Sequence, residues 1–67
     1  MNGTIEWFNE RAQYVRIIWN RHSATWDVVG IDGITYTKTS LPSRALAVAR
    51  SVESGIMTDL QTESDRP

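Results

Sequence analysis

The chain has no cysteine, a single histidine and only two prolines in 67 residues. Without thiols it can form neither a disulfide staple nor a thiolate metal site. A domain of this length buries only about 60% of the surface its unfolded chain exposes. Three Trp, two Tyr and one Phe must therefore supply much of the core, because a large aromatic buries roughly 150–250 Å². Dimerisation is the other usual remedy for so small a core.

Long apolar runs are also missing. No stretch approaches the roughly 20 residues of a membrane span, and the N-terminus lacks a charged-then-apolar signal pattern. The expectation is a cytoplasmic protein with no membrane partner. The four glycines are isolated from one another, so no phosphate-cradling loop is present.

Chemistry-bearing residues are scattered. His22 sits beside Ser23 in a polar stretch, with no acid placed to orient it, and reads as a solvated loop residue. Asp27, Asp32 and Asp59 fall on a sheet, in a turn and near the C-terminus, which is no metal cluster. The sequence predicts no enzyme, no metal and no cofactor.

Charge is nearly balanced, at −1, but unevenly spread. Residues 11–50 hold Arg11, Arg16, Arg21, Lys38, Arg44 and Arg50 against Asp27 and Asp32, a balance of +4. Glu6 and Glu10 precede this basic centre. Glu53, Asp59, Glu63 and Asp65, against Arg66, follow it. Such a pattern is compatible with an anionic partner without specifying one.

The segments Thr4–Phe8, Tyr14–Trp19, Thr25–Ile31 and Ile34–Thr39 are rich in β-branched and aromatic residues and predict four strands. Asp32-Gly33 between apolar residues signals a two-residue hairpin turn. From Leu41 the period changes: Ala45, Val48, Ala49, Val52 and Ile56 form a helical stripe. Pro42 fits the first turn, Ser40 or Ser43 could cap it, and Gly55 suits the C-terminal stop. The expected fold is α+β, a four-stranded antiparallel meander followed by one helix on one sheet face (ββββα). Residues 1–56 form the domain and residues 57–67 a flexible, polar, acidic tail.

A two-residue turn sets Val29 opposite Tyr36 and Asp27 opposite Lys38. Pairing Trp19 with Trp26 sets Ile17 opposite Val28 and Arg16 opposite Val29. A five-residue loop, Asn9–Gln13, sets Trp7 opposite Val15 and Glu6 opposite Arg16. Because side chains alternate across a sheet, one face then carries Ile5, Trp7, Val15, Ile17, Trp19, Trp26 and Val28 without a charge. The helix is expected there. The other face carries the pairs Glu6–Arg16 and Asp27–Lys38 among apolar residues that would form a contiguous exposed patch.

The run "GTIEWFNE", Gly3–Glu10, resembles the first strand of cold-shock domains, in which a Gly-Thr-Val-Lys-Trp-Phe-Asn run leads into a nucleic-acid-binding sheet. The resemblance implies base stacking by aromatics of the following strand. There the chain has "AQYVRI", with Tyr14 at the first aromatic position, Arg16 at the second and neither motif glycine. Where the family has a later Val-Phe-Val-His-Phe-type motif, the chain has "WDVVGID", without the His or a second aromatic. The resemblance is thus confined to the first strand and is not supported by the rest of the chain.

The leading functional expectation is a small regulatory or inhibitory module that binds a protein through the second face. Its predicted contact residues are Phe8, Tyr14, Arg16, Ile18, Val29, Ile31, Tyr36 and Lys38. An aromatic and aliphatic centre with a charged rim is the composition of an interface. The partner is another protein or a second copy of this chain. The alternative is a nucleic-acid-binding module using Tyr14, Arg16, Tyr36 and Lys38.

Overall fold

The computed structural model of the chain describes residues 4–64. The first element is a helix, α1 (Ile5–Arg11), where a strand was predicted. Thr4 caps it: its Oγ1 accepts the Trp7 N–H at 3.1 Å. Glu6 in the first turn and Arg11 in the last both complement the helix dipole. At seven residues α1 is too short to persist alone. It is held by Phe8, buried in the core, with Ile5 packed beside it and buried Ala12 just beyond its end. The spacing Ile5, Phe8, Ala12 is that of one helical face.

Strands β1 (Val15–Asn20), β2 (Thr25–Gly30) and β3 (Thr35–Thr39) form an antiparallel meander in the order β1-β2-β3. The sheet therefore has three strands, not four. The β1–β2 register is the expected one, with Arg16 opposite Val29, Ile17 opposite Val28 and Trp19 opposite Trp26. The two indoles meet at 4.8 Å between ring centroids, tilted by 56°. Asn20 closes the connecting turn, its Oδ1 accepting the His22 N–H at 3.0 Å.

The second hairpin differs from expectation. The Gly30 N–H donates to the Ile34 carbonyl at 2.9 Å, so Ile31, Asp32 and Gly33 form a three-residue loop. Gly33 supplies the left-handed position, φ 84°. Val29 consequently faces Thr35 rather than Tyr36, while Val28 faces Thr37 and Asp27 faces Lys38. Tyr36 is the extra residue of this β-bulge. Its ring lies across Gly30, where an added Cβ would come within 2.9 Å of Cε2.

The final element, α2 (Pro42–Ser64), has 23 residues. Pro42 takes the first helical position. Leu41, rather than Ser40 or Ser43, precedes it as the N-cap residue, its carbonyl accepting the Ala45 N–H. The helix passes through Gly55 instead of stopping there, and α2 continues to Ser64. Residues 65–67 lie outside the described residues.

α2 packs on the face predicted for it. Ala45, Leu46 and Ala49 are buried against Val15, Ile17 and Val28. The alanines bring the helix close, and the fully buried Val15 and Val28 are each worth about 1.5–3 kcal/mol of burial. Val48, Val52 and Ile56 extend the contact. No helix among the described residues is long and apolar enough to cross a membrane.

Two polar clamps fix the start of β1. The Asn9 carboxamide donates from Nδ2 to the Ile17 carbonyl at 2.8 Å and accepts the Ile17 N–H at 2.9 Å. From α2, the Glu53 carboxylate accepts the Gln13 and Tyr14 N–H groups at 2.9 and 3.0 Å. Glu53 is buried, so these bonds satisfy a charge withdrawn from water.

Candidate functional site

Both helices lie on one side of the sheet, which leaves the opposite face open. It presents Arg16 and Ile18 from β1, Asp27 and Val29 from β2, and Lys38 from β3. Ile18 is 52% exposed and Tyr36 37%. At the hairpin tip Ile31 and Ile34 are more exposed still, at 73% and 53%. The open face is thus aliphatic at one end and polar at the other.

The polar end is a closed network around Asp27. Its Oδ1 accepts the Thr25 hydroxyl at 2.9 Å, and its Oδ2 accepts Asn20 Nδ2 at 3.2 Å and Lys38 Nζ at 3.1 Å. Burial raises the Asp27 pKa, but hydrogen bonds from Thr25, Asn20 and Lys38, with the Lys38 charge, outweigh it and hold the group below its ordinary 3.8. Asp27 therefore stays ionised and fully occupied, a structural group rather than a proton donor. At the other end Tyr36 donates its hydroxyl to Asp32 Oδ2 at 3.1 Å. This bond, with partial desolvation and the nearby Asp32 charge, raises the Tyr36 pKa above its ordinary 10.0.

The structure brings together Ile18, Val29 and Lys38, with Ile31 at the tip, and separates the other expected contact residues; Tyr36, the bulge residue, lies over Gly30, whose partner is the buried Val15. Phe8 is in the core, 6% exposed, because α1 turns it inward. Tyr14 is half-buried and packs against the core just before β1. Arg16 folds back along the strand edge, donating from Nη1 to the Ala12 and Val15 carbonyls. The expected Glu6–Arg16 pair across neighbouring strands does not arise, since Glu6 is in the first turn of α1. Ile34, whose exposure the three-residue loop produces, joins the patch.

The three tryptophans part company as well. Trp26 packs against the core, whereas Trp19, on the helix side of the sheet, is 48% exposed. Trp7 lies on α1, with the Arg11 guanidinium 4.5 Å from its ring centroid and that of Arg50 at 5.8 Å. Strand alternation assigns a residue to a face but does not say where the covering helix stops, so Trp19 was beyond sequence reasoning. His22 is exposed in the first turn. Among the described residues, no cluster of His, Cys, Asp and Glu could hold a metal ion.

Comparison of the chain with family models, curated proteins and solved structures finds no match.

Proposed function

We propose that this chain is a small, non-enzymatic regulatory or inhibitory module that binds a protein through its open sheet face. The contact centre is Ile18 and Val29, extended at the tip by Ile31, Ile34 and Tyr36. The observation that carries the reading is Ile18: a half-exposed isoleucine in the middle of a strand, on a face neither helix covers. Exposed apolar residues grouped in this way mark interaction surfaces, and the Asp27–Lys38 pair beside them supplies a polar rim.

Nucleic acid is the alternative occupant of the same face. It is disfavoured because Lys38 is already paired with Asp27 and Arg16 is turned back onto main-chain carbonyls. Tyr14, one of the two expected stacking residues, is not on the face.

A photo-crosslinking residue placed at Ile18, with Ala47 on the exposed side of α2 as the control, tests the proposal in cells that produce the chain. The expected result is a discrete protein adduct from position 18 that is absent from position 47. A nucleic-acid adduct would support the alternative. Equal labelling at both positions, or none at either, would overturn the assignment of the face.

A further inference from the structure

Away from the sheet face, exposed apolar side chains gather at two opposite ends of the molecule, and the ends differ in charge. One end is the row Trp19, Trp26 and Thr39 across the sheet, with the turn after β1 and the start of α2 beside it. Trp19 and Leu41 are 48% and 58% exposed there. A concavity of about 510 Å³ opens on Trp26, walled by Ile5, Pro42 and Leu46 and also by Glu6 and Arg50. Arg21 and Arg44 are exposed at this end. Neither guanidinium has a partner among the described residues, whereas Lys38 is matched by Asp27.

The other end is where β1 begins. Glu53 reaches the Gln13 and Tyr14 N–H groups there, and α2 runs on to Ser64. Met57 and Leu60 on this extension are 51% and 42% exposed. Between them the Asp59 carboxylate has no partner among the described residues. Asp32 and Glu53, at the same end, accept from neutral N–H and O–H donors, which leave their charges in place. Arg11 is matched by Glu10, so Arg16 alone opposes these three acids. α2 itself carries Arg44 and no acid in its first turn, and no base in its last. That order runs against the helix dipole, so these charges do not serve the helix that bears them.

We propose that two copies of this chain associate through their unlike ends. The Met57–Leu60 extension of one copy lies against Trp19, Leu41 and Arg44 of the other, and Asp59 meets Arg44. Arg44 and Asp59 are about 22 Å apart along the helix axis, so an antiparallel pair makes the contact twice about a two-fold axis and closes. The partner is a second copy because one molecule carries both the acidic and the basic half of the contact. Ile18 and Val29 take no part, and the pairing does not depend on the function proposed for the sheet face.

The test is sedimentation equilibrium of the 67-residue chain at low and at moderate salt, with the variants Arg44→Glu and Asp59→Lys alone and mixed. Wild type should show a monomer–dimer equilibrium that salt weakens. Each variant alone should dimerise at least about tenfold more weakly, and an equimolar mixture of the two should recover most of the wild-type association. Both changes bring α2 into line with its dipole, so the melting midpoints of the dilute variants should not fall, which separates lost pairing from lost folding. Ile18→Lys should leave the dimer intact. A wild type that stays monomeric at low salt, variants that pair as well as wild type, or a mixture no better than its components would overturn the proposal. Loss of the dimer with Ile18→Lys would refute the ends as the interface, and growth beyond a dimer would refute the closed pair.

Discussion

The side chain of Asn9 bonds to the main chain of Ile17 through the same two groups, one N–H and one C=O, that a neighbouring strand would use. A carboxamide thus stands where a fourth strand was expected. It gives α1 a directional attachment to the sheet that apolar contact alone would not supply.

Replacing Asn9 by alanine removes both bonds and strips Ile17 of its partners along that edge. The expected cost is about 1–3 kcal/mol, since a partly buried N–H and C=O are left without protein partners. Urea denaturation would measure it. Asn9→Asp, which keeps the acceptor but not the donor, should also destabilise the fold.

Glu53 carries the second attachment. Glu53→Ala is expected to cost about 2–3 kcal/mol, because two bonds to an ionised acceptor vanish from a buried position. Glu53→Gln should cost less, as one carbonyl oxygen still accepts while its amide faces the other N–H. Thermal melts of both variants at neutral pH check the order.

Gly55 lies inside α2 with φ in the ordinary negative range, and a Cβ there would meet nothing within 4 Å. Gly55→Ala should therefore stabilise the chain by about 0.5–1 kcal/mol. Destabilisation on substitution would mean that the helix ends there after all. Circular dichroism would report both the helix content and the midpoint.

At alkaline pH the Tyr36–Asp32 bond becomes measurable. The folded pKa of Tyr36 is raised, so its stabilising effect is fully present below the unfolded value near 10.0 and is lost as pH rises through the folded value. Ultraviolet titration should show Tyr36 ionising late, and Asp32→Asn should move it back toward the ordinary value.

Asp27 gives the opposite limb. Its folded pKa is depressed, so its contribution is present above the unfolded value near 3.8 and is lost as pH falls through the folded one. Asp27→Asn should flatten the loss of stability on the acid side, as read from midpoints measured across that range.

Much of this architecture was legible in the residues. The β1–β2 register followed from one alternating pattern on each strand, and the stripe from Ala45 to Ile56 located the face of α2. The segment Thr4–Phe8 was misread because its Thr, Ile, Trp and Phe favour strands only where a sheet is there to receive them. A weaker 3.6-residue signal, Ile5-Phe8-Ala12 after a Thr cap, prevailed once those side chains could reach the core. The second hairpin was half right. Asp32-Gly33 did mark a turn, and the bulge at Tyr36 restored the Asp27–Lys38 pairing that a longer loop would otherwise have displaced. For the site, Ile18 was recoverable from alternation, whereas the bulge at Tyr36 breaks it. Phe8 and Tyr14 were not recoverable, since their burial depends on α1 and on the Glu53 contact made across the chain.

The Asn9 attachment also governs how copies of the chain could add to one another. With one rim of the sheet capped opposite Ile17, β3 is the boundary left for strand-on-strand growth among the described residues. Two copies joined β3 to β3 would each present outward a rim that Asn9 blocks at Ile17.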